Sequence, residues 1–336
     1  MGLTHGGNLF EVARQHGWDW REVHDFSANI NPLGPAPGVK QAISAAADRI
    51  AHYPEREPSR LRAALAAEWN VDDQQVLLGN GATELIYFLA RLFAGREVTL
   101  ALPAFSEFHR AFPAAGTVSL LDPASWPRTG LLVLTRPANP LGGTLSLDVL
   151  RRHLDQEGQP ILIDESFLEF SGQPSAATLL KDHPHLTILR SLTKFYALPG
   201  LRIGALLGSP ATIDRMRTQR EPWQVNVLAE EAALAAIEDR DHGARAIELV
   251  RTERSWLLQQ LGAISGIHPR AGDANFIYIP LDYPASLLCR FLLRRKILIR
   301  NCKGWPGVPE EAVRIAVRNR SENGRLIEAW KEYTCG

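Results

Sequence analysis

The sequence predicts an α/β protein in which a mostly parallel seven-stranded sheet lies between helices, with a smaller α+β domain beside it. Two observations carry this expectation. Seven short apolar runs between residues 75 and 207 are separated by helix-length segments, as strands buried on both faces of a parallel sheet require. After Pro222 the texture changes to consecutive helical patterns followed by three more apolar runs. The expected organisation is an N-terminal arm with part of the small domain over 1–45, a large domain over 46–225 and a small C-terminal domain over 226–336.

The first strand is expected at 75–78, running through Gly79-Asn80-Gly81 into a helix over 82–92. A strand at 98–101, a helix over 105–115 and a strand at 118–121 follow. Strands at 131–134, 161–163, 187–189 and 203–207 complete the sheet. Beyond it, 227–237 and 241–261 read as helices, the second bridging the domains around 244–258. The small sheet is expected from 276–279, 297–299 and 313–317, covered by helices over 286–295 and 322–333.

Composition narrows the function. The 336 residues are 45% hydrophobic and 22% charged, as in an ordinary globular protein. The 37 Lys and Arg balance the 37 Asp and Glu, so no global charge favours nucleic acid. No apolar run approaches the ~18–20 residues of a membrane span, and the first residues lack the order of a signal peptide. Cys289, Cys302 and Cys335 are widely separated, with no CxxC and no histidine at ligand spacing. They read as reduced thiols of a cytoplasmic protein, and no metal site is expected.

The chemistry is carried by four stretches. In Leu78-Gly79-Asn80-Gly81-Ala82-Thr83-Glu84, a strand, a glycine turn and a helix point free N–H groups at an anion. A dinucleotide fingerprint needs a third glycine where Glu84 stands, so a phosphate cradle or a plain turn remains. Asp164 closes the apolar run 161–163, where a carboxylate is costly unless paired. It reads as a helix N-cap or as a fixed charge facing a protonated ring nitrogen. Lys194 lies between an apolar strand and a Gly/Pro-rich segment, a setting that lowers an amine pKa and makes it nucleophilic. Ser191 and Arg202 flank it with groups suited to phosphate. Asn139, in Arg136-Pro137-Ala138-Asn139-Pro140-Leu141-Gly142-Gly143, falls at a carboxyl end of the sheet, where α/β proteins bind ligands. Phe105 is either core or a ring stacked on a flat cofactor. A phosphate cradle, a buried aspartate, an activated lysine and an aromatic form the set that pyridoxal phosphate needs.

The ordered motifs GNGATE, RPANPLGG, DESFLEF and SLTKFYALPGLRIG resemble the aspartate aminotransferase superfamily (fold type I), nearest the histidinol-phosphate aminotransferases. The resemblance spans essentially the whole chain and implies the pyridoxal-phosphate-dependent transferase fold. It implies that Lys194 is the Schiff-base lysine, that Asp164 pairs with the pyridine nitrogen and that Asn139 bonds the ring's phenolic oxygen. Phe105 would stack on the ring, and Gly81, Ala82, Thr83, Ser191 and Arg202 would hold its phosphate. Tyr53 resembles the tyrosine that family members lend across a homodimer interface. Two departures stand out: Leu141 alters the common Asn-Pro-Thr-Gly turn, and Phe105 replaces a common tyrosine, which removes one hydroxyl near the cofactor.

Two arginines at apolar strands of the small domain, Arg300 and Arg314, must find anions if buried; a structural salt bridge is the plain alternative. Arg314 matches the position at which aminotransferases bind a substrate acid group, and Arg300 suggests a second anion. Arg318 reads as a helix-start or surface residue. Thr4-His5-Gly6-Gly7-Asn8 and Asp25-Phe26-Ser27-Ala28-Asn29-Ile30-Asn31-Pro32-Leu33-Gly34 resemble the L-threonine-O-3-phosphate decarboxylase family of cobalamin biosynthesis. This implies that His5, Gly6, Asn29, Asn139, Arg300 and Arg314 bind O-phospho-L-threonine, with (R)-1-amino-2-propanol O-2-phosphate as product. The competing expectations are an aminotransferase of histidinol-phosphate type and a silent binding protein on the same fold.

Overall fold

The computed structural model describes residues 6–156 and 158–335. In chain order the first strands are β1 (His24–Asp25), β2 (Val76–Gly79), β3 (Val98–Leu102), β4 (Gly116–Ser119), β5 (Leu131–Thr135) and β6 (Ile161–Asp164). They are followed by β7 (Leu186–Ser191), β8 (Gly204–Leu207), β9 (Phe276–Pro280), β10 (Ile297–Leu298), β11 (Arg300–Asn301) and β12 (Ala312–Ala316). The central sheet has seven strands in the order β2-β8-β7-β6-β5-β3-β4. Only β8 runs against its neighbours, pairing antiparallel with both β2 and β7.

Apart from the edge strand β4, which is largely exposed, the central strands alternate their side chains between two apolar layers. Ile161 and Ile163 face one layer and Leu162 the other; Val76 and Leu78 are likewise separated from Leu77. This period of two is why both faces had to be apolar. Helices Pro37–Ala46, Ser59–Trp69 and Val227–Glu238 cover one face together with the long helix Arg240–Gly262. Helices Gly81–Leu92 and Pro210–Arg217 cover the other.

Several expected boundaries move. The helix at 105–115 is shorter, Ser106–Ala111, because Pro113 cannot continue it. The strand at 118–121 lies earlier, at Gly116–Ser119. The expected strand 297–299 shortens to β10, which pairs in parallel with β1, while β11 just beyond it joins β12 and β9 in an antiparallel three-stranded sheet. The N-terminal segment is thereby stitched to the C-terminal part of the chain. Among the described residues, no helix is long and apolar enough to cross a membrane.

The ends of β6 and β7 are held by a buried ion network. Arg136 and Glu165 are 1% and 0% exposed, with Nη1 donating to Oε1 at 2.9 Å. Arg136 Nε donates to Leu145 O, and its backbone N–H donates to Asp164 O at 2.8 Å. Glu165 also accepts from Ser175 Oγ and the Ala176 N–H, and lies 3.4 Å from Arg190 Nη1. Glu165→Ala leaves the Arg136 guanidinium uncompensated in the interior, while Arg190 keeps Glu169 at 3.6 Å, and is expected to lower stability by about 3–5 kcal/mol, as read by chemical denaturation.

Candidate active site

The carboxyl ends of β2, β3, β5, β6 and β7 meet on one edge of the sheet, and β8 begins there because it runs the other way. Against this edge lies a cavity of about 1050 Å³. Ala82, Thr83, Phe105, Asn139, Asp164, Ser191, Lys194 and Arg202 line it. Gly6, Asn29, Arg300 and Arg314 line it from the N-terminal segment and the small sheet. Twelve of the fifteen site residues expected from sequence are thus brought around one cavity. Gly81 and Tyr53 do not line it, and His5 is outside the described residues.

The anion cradle is built across three adjacent strands, with Gly79 and Ser191 both opposite Gly204. Helix Gly81–Leu92 starts immediately after, so its free amides and dipole face the cavity. Gly81 has φ 80°, and a Cβ there would lie 2.6 Å from Arg202 Nη2. Only glycine lets that guanidinium pack on the turn. Arg202 itself adopts φ 57°, and its Nη1 donates to Pro199 O at 3.3 Å. Ser191 Oγ lies 2.8 Å from Thr193 Oγ1. Glu84, where a third glycine would stand in a dinucleotide motif, pairs with Arg220 at 2.7 Å and accepts from the Asn80 N–H.

Asp164, at 5% exposure, accepts from the Ser166 N–H at 2.9 Å and from Ser166 Oγ at 2.5 Å. Burial pushes its carboxyl above the usual range, while the Ser166 bonds and Lys194 pull it back. Lys194 is lowered to about 8, first by burial and then by the Arg314 and Arg202 charges, against the pull of Asp164. An amine so lowered is a nucleophile near neutral pH.

Arg300 and Arg314, each 6% exposed, stand directly opposite each other on β11 and β12. Like charges at such a pair repel. Both guanidiniums lie over the Trp305 ring, 5.0 and 5.9 Å from its centroid. Among the described residues, Arg314 is held by neutral acceptors: Asn139 Oδ1 at 2.6 Å and Ser27 O at 2.9 Å. In the Asn29 amide orientation that satisfies its neighbours, Oδ1 accepts from Arg314 Nη1 and Nε at 3.2 and 3.3 Å. Burial lowers Arg314 to about 10 and moves Arg300 in the same direction. The structural salt bridges considered for these arginines are absent from the described residues.

The residues present fit pyridoxal phosphate: a glycine cradle that a Cβ would fill, a buried carboxylate and a desolvated amine share one cavity. Sequence reading missed Ser166, Thr193 and Trp305. The first two sit two residues from Asp164 and Ser191, a spacing at which a hydroxyl folds back on its neighbour. Trp305 gave no signal; its indole N–H donates to Ala104 O at 2.6 Å, beside Phe105. Arg318 precedes helix Arg320–Cys335 as expected and pairs with Glu322 at 3.0 Å, but it also lines the cavity.

The chain matches the family Aminotransferase class I and II over residues 21–329 and belongs to it. It is a pyridoxal-phosphate-dependent enzyme. It is 34% identical to threonine-phosphate decarboxylase of Salmonella typhimurium, over 99% of this chain and 97% of that protein. It is 33% identical to histidinol-phosphate aminotransferase of Symbiobacterium thermophilum, over 92% of this chain and 91% of that protein. The crystal structure of L-threonine-O-3-phosphate decarboxylase from Porphyromonas gingivalis superposes with a TM-score of 0.86 at 24% identity, covering 93% of this chain and 99% of that chain. This last likeness is one of fold.

The electrostatics give a pH signature. In cofactor-free protein, reductive capture of a small aldehyde on Lys194 should rise with pH around a midpoint near about 8. Arg314→Leu removes a charge that lowers the amine and should move the midpoint up. Asp164→Asn removes one that raises it and should move the midpoint down. Mass spectrometry of the Lys194 peptide reads both shifts.

Proposed function

We propose that the protein decarboxylates O-phospho-L-threonine to (R)-1-amino-2-propanol O-2-phosphate. The observation that carries this reading is the buried, cross-strand Arg300–Arg314 pair without a carboxylate partner among the described residues. Two such cations call for a substrate with two anionic groups. O-phospho-L-threonine has a carboxylate and a phosphate, whereas histidinol phosphate has only a phosphate. The 34% identity to threonine-phosphate decarboxylase supports the same choice.

Bound pyridoxal phosphate supplies an electron sink conjugated to the substrate's α-carbon. Ala82, Thr83, Ser191 and Arg202, with the turn at Gly81, hold its phosphate in this reading. Asp164 would pair with the ring nitrogen, Asn139 with the phenolic oxygen, and Phe105 would stack on the ring. Lys194 would hold the cofactor and, when its amine is free, would carry the proton to be returned at the substrate's α-carbon. Arg300, Arg314 and Asn29, with Gly6 and His5 of the N-terminal arm, fix the substrate's two anions. That fixing would select which α-carbon bond the cofactor's electron sink weakens. For decarboxylation it is the bond to the carboxylate.

The same reading takes 46–225 as the large domain, 226–336 as the small one and 1–45 as an arm shared with it, in a cytoplasmic homodimer. Tyr53 is 82% exposed and packs on Trp223 with ring centroids 4.9 Å apart, which suits a residue lent to a second copy. Tyr53→Phe should weaken cofactor retention in dialysis without changing the dimer mass measured by light scattering.

The deciding experiment supplies the loaded enzyme with O-phospho-L-threonine and no keto acid. CO2 release is expected, and Lys194→Ala should lose both this activity and the visible absorbance of the loaded protein. Amino transfer to 2-oxoglutarate without CO2 would instead establish the aminotransferase reading, which the 33% identity to histidinol-phosphate aminotransferase favours.

A further inference from the structure

The backbone at Gly6 and Gly7 reaches the cavity because residues 25–27 grip it. Phe26 is fixed between the two small sheets: its N–H donates to Leu298 O and its carbonyl accepts from the Ala316 N–H, both at 2.8 Å. Asp25 Oδ1 accepts from the Ser27 N–H at 2.8 Å and from Ser27 Oγ at 2.6 Å. The hydroxyl has one proton, and the carboxylate takes it as a hydrogen-bond partner. Ser27 Oγ therefore offers only lone pairs elsewhere, and the Gly7 N–H donates to it at 2.9 Å.

The carbonyl of the same residue accepts from Arg314 Nη2 at 2.9 Å. Gly6 is pressed against that carbonyl so closely that a Cβ would lie 2.3 Å from Ser27 O. Ser27, at 4% exposure, thus touches the arm with its side chain and the substrate-facing arginine with its main chain.

We propose that Ser27 is a positioning residue for substrate binding, seating Gly6-Gly7 beside Arg314 while Asp25 fixes the direction of its hydroxyl proton. The inference rests on the proposed function only in taking the arm as a wall of the substrate pocket. A purely structural serine turn would affect stability and leave substrate affinity alone.

The test uses full-length, cofactor-loaded protein. In Ser27→Ala, the Gly7 N–H loses its acceptor and Asp25 loses the hydroxyl donor, and amide exchange over residues 6–8 should quicken by about three- to tenfold. KM for O-phospho-L-threonine should rise by a similar factor, with kcat and cofactor absorbance unchanged. Gly6→Ala should act in the same direction through the steric clash, and it carries the exchange measurement if Ser27→Ala does not fold. The double variant should be no worse than Gly6→Ala alone, because both changes unseat one segment. Unchanged exchange, additive KM effects or loss of cofactor in Ser27→Ala would overturn the proposal. If wild-type protein does not turn over O-phospho-L-threonine and exchange still responds, the seat stands and the substrate assignment falls.

Discussion

Asp164 and Glu165 leave the end of β6 in opposite directions, and the cavity depends on the pairing of the second as much as on the first. Glu165 is locked into Arg136 and Arg190 below the sheet edge, while Asp164 faces the cavity above it. Because Arg136 also bonds the Asp164 carbonyl, it ties the turn bearing Asn139 to the strand bearing Asp164. Arg190 and Ser191 repeat the pattern on β7, one side chain in the network and the next in the cavity. The alternation of a strand thus separates a structural charge layer from a reactive one with no residue between them.

Above that layer the balance of charge is unusual. Arg202, Arg300 and Arg314 bring three guanidiniums to the cavity, and among the described residues none has a carboxylate in salt-bridge contact. Arg300 and Arg314 are buried without a counter-ion, which is costly, so this pair carries a preference for anions, while Arg202 is solvent-exposed. The Arg314 and Arg202 charges add to burial, the larger cause, in keeping Lys194 from holding its proton tightly. Anion affinity and amine reactivity therefore share part of their cause.

Much of this could be read in the sequence because apolar runs and glycine turns are local signals. The seven central strands were visible as runs of three to five residues, and Gly81, Asp164, Ser191 and Lys194 sit at or just beyond their ends. The pairing of β1 with β10 was not visible. His24–Asp25 has neither apolar character nor length, and its partner lies far along the chain. Arg318 was read as peripheral because nothing local shows that β12 ends facing the cavity. Trp305 and Ser27 were missed for a related reason: their partners, Ala104 in one case and Gly7 and Arg314 in the other, are brought to them only by tertiary structure.

The single reversed strand has a consequence for loop length. Most site residues on the central sheet sit at the ends of strands whose connections run back over the sheet, where insertions can be accommodated on the far side. Lys194 and Arg202 are different: they are joined by the short segment that turns β7 into β8 along the cavity edge itself. Lys194 O also accepts from the Asn31 N–H, and Asn31 Nδ2 donates to Phe195 O, so the start of that segment is pinned. Its length is therefore a ruler for the distance between amine and guanidinium, and one added or deleted residue would be felt in the chemistry before it was felt in the fold.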